Sequence, residues 1–161
     1  TQYEAARFFS PIYLHPEYLG DGRVVFYISN ERRQTFAGTL EYRIGAADNS
    51  TVHKGYANVV IERNSARLVL ERDFGEFLIG NEDRYYLECY LKDQLGTYAR
   101  ATTLFVPEKH FKFKDPKISY EIVGSERRFS ITLNASAFAG AVEVVIVVDT
   151  VEYAAFLSIV L

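Results

Sequence analysis

Apolar and polar residues alternate with a period of two through most of the chain, and the pattern predicts strands almost throughout. The cleanest case is Thr39 to Ile44. Leu40, Tyr42 and Ile44 fall on one parity and Thr39, Glu41 and Arg43 on the other, as in a half-solvated antiparallel strand. Val24 to Asn30 places Val24, Phe26 and Ile28 on one face. Val52 to Ile61 predicts a longer strand that Gly55 bends, and Ala66 to Arg72 sets Leu68 and Leu70 against Arg67, Val69 and Glu71. Ahead of these, Phe8 to Leu14 predicts a first strand with Pro11 marking an edge or a bulge. Tyr85 to Lys92 and Thr97 to Val106 predict a hairpin about Asp93-Gln94-Leu95-Gly96.

The punctuation between strands is polar. Leu19-Gly20-Asp21-Gly22 carries two glycines suited to the positive φ of a tight reversal, Glu31 to Gln34 is a charged loop, and Ala47 to Ser50 and Asn64-Ser65 are turns. Phe74 to Gly80 is short and bounded by glycines, which predicts a single helical turn crossing between sheets. About seven strands over roughly 100 residues is the spacing of an immunoglobulin-like sandwich.

Two prolines divide the chain. Pro107 cannot donate to a sheet ladder and Pro116 drives Asp115 toward an extended conformation, so no strand or helix is expected to run through 108–116. The predicted architecture is therefore all-β with two tandem immunoglobulin-like β-sandwich modules: residues 1–107, a linker at 108–116, and residues 117–161. The second module offers Lys117 to Val123, Arg127 to Asn134, Val142 to Val148 and Glu152 to Leu161. Val142 to Val148 is apolar on both parities apart from Glu143, which calls for cover on both faces. About 45 residues do not supply that alone, so this module is either incomplete or completed by another surface. Thr1 to Arg7 reads as the tail of an upstream element.

Charge narrows the function. Eighteen Lys and Arg against 21 Asp and Glu give a net charge of −3, which produces no long-range field for a polyanion. No apolar run reaches the length of a bilayer span. Neither nucleic acid nor membrane is an expected partner. In the linker, Lys109, Lys112 and Lys114 interleave with His110, Phe111 and Phe113. That pattern fits a basic-aromatic nucleic-acid patch or a connector whose phenylalanines dock while its lysines stay wet. Glu108, Asp115 and the acidic total favour the second.

Catalytic equipment is missing. The lone Cys89 excludes an internal disulfide and a multi-thiolate metal site, and its parity with Leu87 and Leu91 predicts a buried structural thiol. His15, His53 and His110 lack metal-site spacing, and neither a Gly-x-Ser-x-Gly elbow nor a phosphate-binding glycine loop is present. A glycosidase needs two carboxylates at a set separation. Glu41, Glu71, Glu88 and Glu143 sit on outward parities or in loops, with no pair marked as desolvated. No catalytic residue, cofactor-binding residue or metal ligand is assigned. Tyr13, Tyr18, Tyr56 and Tyr98 are expected to be exposed, where rings can stack on sugars, although tyrosine also simply favours strands.

Read in order, Arg7-Phe8-Phe9-Ser10-Pro11-Ile12, Ser29-Asn30-Glu31 into Gly38-Thr39-Leu40, Asn64-Ser65-Ala66, Phe105-Val106-Pro107-Glu108-Lys109 and Asp115-Pro116-Lys117-Ile118 resemble the C-terminal region of β-mannosidases of glycoside hydrolase family 2. The likeness covers nearly the whole chain, and the Phe-Val-Pro-Glu-Lys hinge followed by Asp-Pro-Lys-Ile is its most specific part. It implies the last two immunoglobulin-like sandwiches of an enzyme whose catalytic (β/α)8 barrel lies upstream and cleaves terminal β-linked mannose with retention. Neither barrel glutamate motif is in this chain, so the resemblance carries no catalytic residue onto it. Where the family continues into Ser-Asp-Asn and Pro-Gly segments, this chain has Val151 to Leu157, which leaves the closure of the second sandwich open.

The leading expectation is a non-catalytic accessory segment that braces such a barrel. The alternatives are a carbohydrate-binding module that takes mannosides on its tyrosines, and a surface adhesion module. A face freed from the barrel would favour self-association, with Phe8, Phe9, Phe111 and Phe113 as its candidates.

Overall fold

The computed structural model describes residues 11–125, 128–140, 142–148 and 151–157, with 125, 128–129, 142–148 and 151–157 as backbone alone. The fold is all-β. Seven strands build two facing sheets: β1 (Ile12–Tyr18), β2 (Arg23–Asn30), β3 (Phe36–Ala46), β4 (Thr51–Ile61), β5 (Ser65–Asp73), β6 (Tyr85–Asp93) and β7 (Gly96–Leu104). One sheet has the order β1-β2-β5 and the other β4-β3-β6-β7, and neighbouring strands in both pair antiparallel. One helical turn, α1 (Gly75–Leu78), carries the chain from β5 toward β6. Beyond a 3-10 turn at Glu108–His110 come two hairpins, β8 (Ser119–Ser125) with β9 (Arg128–Asn134), and β10 (Val142–Val148) with β11 (Val151–Leu157).

The predicted inward parities meet between the sheets. Val24, Phe26 and Ile28 of β2 face Leu40, Tyr42 and Ile44 of β3 and Leu87, Cys89 and Leu91 of β6, all buried. Each such aliphatic or aromatic side chain removed from water contributes about 1.5–3 kcal/mol, so this interior is the main source of stability. Cys89 is fully buried, as its parity implied, and burial pushes its thiol up to about 12.

Three details differ from the sequence pattern. The first strand begins at Ile12 and runs through Pro16, which is tolerated because β1 is a sheet edge. Leu68 does not share the inward face of Leu70. The β2–β5 register shifts between Phe26 and Tyr27, so Phe26 lies opposite Leu70 and Tyr27 opposite Leu68. The extra residue, Val69, packs on the core and Leu68 is 45% exposed, because a one-residue bulge reverses every parity beyond it. Gly55 is not the bend of β4. The register shift there lies between Ile44 and Gly45, and Gly55 instead makes room for Tyr42, whose hydroxyl would stand 2.5 Å from an added Cβ.

Arginines seal the open side of the sandwich. Arg72 of β5 donates to the Tyr42 hydroxyl at 3.1 Å, and Arg67 of β5 donates to the Val60 carbonyl on the edge of β4. At the end where β1 begins, the buried Asn30 side chain donates to the carbonyls of Gln34, Ile61 and Glu62 at 2.9, 3.1 and 3.2 Å and accepts from the Arg32 amide at 3.0 Å. One side chain thus ties the β2–β3 loop to the β4–β5 loop.

The segment after β7 is seated on the first sandwich. Phe111 is 6% exposed and Phe138 is buried, and both join Tyr86 and Ala47 in a second apolar cluster with Leu104 and Val106 against it. Phe138 stacks on Tyr86 with centroids 4.0 Å apart, and its amide donates to the Ala47 carbonyl at 3.0 Å. Lys109, Lys112 and Lys114 stay exposed, with Lys112 paired to Asp83 and Lys114 to Asp48. Phe111, expected on an exposed self-association face, is spent on this internal contact. Phe113 is exposed beside it, and Phe8 and Phe9 lie outside the described residues.

Replacing Asn30 by alanine leaves three carbonyls without their donor. Because each unsatisfied buried group costs roughly 1–3 kcal/mol, urea denaturation should show a loss of at least about 2 kcal/mol. A loss near zero would mean that the node does not hold the loops.

Candidate functional site

The densest polar constellation among the described residues lies on the outer face of the four-stranded sheet, centred on Glu88. The β3–β6 register sets Arg43 opposite Glu88, and the β6–β7 register sets Arg100 opposite Tyr90. Gly45 opposite Tyr86 leaves space for the tyrosine ring, since an added Cβ would meet it at 2.5 Å. The four side chains Arg43, Tyr86, Tyr90 and Arg100 then close over the carboxylate.

Each Glu88 oxygen accepts two hydrogen bonds. Oε2 takes Arg43 Nε at 3.2 Å and Nη2 at 3.0 Å, and Oε1 takes Arg100 Nη2 and the Tyr90 hydroxyl, both at 2.6 Å. Arg43 also reaches the Asn49 carbonyl, the Asn49 side chain, Thr51 and the Tyr86 hydroxyl. Tyr86 donates in turn to Asn49 Oδ1 at 2.7 Å. The Arg43 and Arg100 guanidiniums each stand 5.4 Å from a tyrosine centroid, over Tyr86 and Tyr90 respectively.

Glu88 was expected on an outward, solvated parity. It is outward, but only 7% of it is exposed, because two arginines and two tyrosines from three strands roof it. Burial by itself raises its carboxyl. The Tyr90 and Arg43 hydrogen bonds and the nearby charges of Arg100 and Arg43 outweigh that, holding it below the ordinary range. Burial first, and then its bond to the Glu88 anion, push Tyr90 up to about 12. Both oxygens of this carboxylate are thus engaged by the protein's own donors.

The other carboxylates named from the sequence are also committed elsewhere. Glu41 pairs with Lys92 at 2.6 Å and Glu71 lies 3.8 Å from Arg23. The side chain of Glu143 lies outside the described ones. An open cleft of about 460 Å³ is bordered by Tyr18, Asp21, Glu82, Asp83, Phe105 and Val106. Its acids are held by neighbours: Asp21 by Arg23, Glu82 by the Gly80 amide, and Asp83 by Lys112, whose hydrogen bond lowers the Asp83 carboxyl. Among the described residues no group of three or more His, Cys, Asp and Glu side chains is placed to hold a metal ion, and no helix is long and apolar enough to cross a membrane.

A family model, the mannosidase Ig/CBM-like domain, matches residues 22–110, more than half of the chain and the whole run from β2 to the 3-10 turn. The chain belongs to the mannosidase Ig/CBM-like domain family. No curated protein matches it. Among solved structures, a β-glucuronidase from glycoside hydrolase family 2 is similar at 17% identity and a TM-score of 0.41, over 58% of this chain and 11% of that one. A family 2 member from Bacteroides cellulosilyticus DSM 14838 follows at 14% and 0.35, over 75% and 17%. A Bacteroides uniformis β-glucuronidase stands at 12% and 0.33, over 77% and 15%. The chain therefore spans less than a fifth of the length of each.

Within this mannosidase Ig/CBM-like domain, the four tyrosines expected to be exposed do not form one platform. Tyr56 is 70% exposed on β4, at the outer face of the four-stranded sheet, and Tyr13 is exposed on β1 of the other sheet. Tyr18 and Tyr98 are half-buried against the core, edge-on to Phe105 and Phe36 respectively. Sequence parity missed Glu88 because its roof comes from β3 and β7, whose registers are not local information. Asn30 was more legible, since it shares the parity of Val24, Phe26 and Ile28.

Glu88→Gln should destabilise the domain at neutral pH by about 3–5 kcal/mol, the usual cost of breaking a buried ion pair. Because the folded carboxyl is depressed, its stabilisation is complete above the unfolded value, about pH 4.3, and is lost as pH falls through the folded one. The gap between wild type and variant, measured by denaturant titration, should therefore close in acid. A gap that is flat with pH would contradict the ion-pair account.

Proposed function

We propose that this chain is a non-catalytic accessory segment of a β-mannosidase-like enzyme of glycoside hydrolase family 2, following the catalytic barrel and bracing it. The observation that carries this reading is the state of Glu88. The one buried carboxylate among the described residues is saturated by Arg43, Arg100 and Tyr90 and has no second acid at work beside it. Membership of the mannosidase Ig/CBM-like domain family and the ordered resemblance from Arg7 to Ile118 support the choice of parent. The parent's substrate, a terminal β-linked mannoside, belongs to the same proposal.

Mannoside binding by this chain is a second reading and rests on Tyr56, the one strongly exposed ring of the four on the outer face. A single ring offers about 1 kcal/mol beyond area burial, so any such contact is weak and auxiliary.

The chain incubated with an aryl β-mannoside should release no phenol above the buffer rate, and hydrolysis that survives purification controls would overturn the accessory reading. Titration with manno-oligosaccharides should show no saturable binding at millimolar ligand. Saturable binding abolished by Tyr56→Ala would replace bracing with sugar recognition as the role of this face.

A further inference from the structure

We infer that the end of the sandwich at which β1 begins is a carboxylate-docking surface, built from Arg32, Arg33 and Arg63, for an acidic protein surface on the preceding domain. The inference rests on the accessory reading for the identity of its occupant, and on the geometry of two loops for its existence.

The loops are fastened before any partner arrives. The Asn64 amide donates to the Arg32 carbonyl at 3.3 Å. Those two atoms belong to the Arg32–Arg33 and Arg63–Asn64 peptide groups, so Arg33 and Arg63 stand on either side of a single interpeptide hydrogen bond. The buried Asn30 side chain reinforces the junction through the neighbouring Gln34 and Glu62 carbonyls. Asn64 adopts a φ of +49°, which turns the β4–β5 connection sharply enough to present Arg63 beside the other loop.

The cations themselves are uncommitted. Arg33 and Arg63 are exposed, and no ion pair or hydrogen bond of their side chains is present among the described residues. Arg32 is half-buried with its guanidinium 5.4 Å from the Tyr98 centroid, an orientation that holds the group in place while leaving its charge unpaired. Glu31 and Glu62 lie in the same loops, but neither pairs with these arginines. Arg43, Arg72 and Arg100 are, by contrast, each engaged by oxygen acceptors. Arginine guanidiniums are the standard means of reading carboxylates bidentately.

A protein carboxylate is favoured over an acidic sugar by position. The Glu31 amide donates to the Pro11 carbonyl at 2.7 Å, so the chain enters the sandwich at this same end. In the proposed parent, the preceding domain is tethered beside these loops, where its high effective concentration makes even weak ion pairs persist. No exposed ring comparable to Tyr56 lies in either loop.

The test uses the 161-residue chain and a peptide of alternating glutamate and aspartate as the probe, followed by NMR of the arginine side-chain Nε–H groups. Saturable shifts at Arg33 and Arg63 are expected. Read at the Arg32 Nε–H, which both proteins retain, the peptide's affinity should weaken about tenfold in the Arg33→Glu/Arg63→Glu variant, equivalent to one decade, and binding should vanish near 1 M salt, where screening acts within about 3 Å. The charge-matched Lys54→Glu/Lys109→Glu variant should bind as wild type, and both variants should keep the wild-type melting temperature. Three results would overturn the inference: no saturable binding, equal weakening by both variants, or binding of an oligoglucuronate as tight as that of the peptide. This readout is independent of mannoside hydrolysis, so a parent acting on another sugar would defeat the substrate assignment and leave the docking result standing.

Discussion

The antiparallel pairing of β3 with β6, two strands with β4, β5 and α1 between them in the chain, is the constraint from which the rest of the structure follows. Its register places Leu40 against Leu91, Tyr42 against Cys89 and Ile44 against Leu87 on the inner face, and Arg43 against Glu88 on the outer one. A slip of one residue would turn the core outward and bury the charges. The apolar interior and the ion-pair network are therefore two sides of one registration, and each penalises the alternatives that the other would permit.

The outer face shows what that registration makes possible. Glu88 sits where a solvated residue would normally be, yet it is covered from both neighbouring strands and gains four hydrogen bonds in return. Such a network adds little net stability beyond a well-packed apolar alternative. What it does is position Tyr86, whose ring then serves as the floor on which Phe138 stacks. Through that contact and the burial of Phe111, the chain beyond β7 is fastened to the first sandwich by apolar surface.

Much of the polar chemistry of the described residues is committed to the fold itself. The acids within reach of one another are neutralised by arginine, lysine or backbone amides, and the aromatic rings are mostly turned into packing. At one end, two loops tied by Asn30 carry Arg32, Arg33 and Arg63, which have no acidic partner among the described residues.

Period-two alternation was enough to locate the inward parities of β2, β3 and β6 and the burial of Cys89, because those properties depend on a residue and its neighbours two positions away, and the flanking glycines marked the single-turn crossing at Gly75–Leu78. The two prolines and the phenylalanines interleaved with lysines between them suggested a connector that docks, which Phe111 does and the exposed Phe113 does not. What the alternation could not contain were the outcomes set by registers between distant strands. The bulge at Val69 turned Leu68 to solvent, the crossing of three strands buried Glu88, and the separation of the two sheets scattered Tyr13, Tyr18, Tyr56 and Tyr98. Each of these is decided by which strand lies opposite, a property of the assembled sheet that no local pattern of residues encodes.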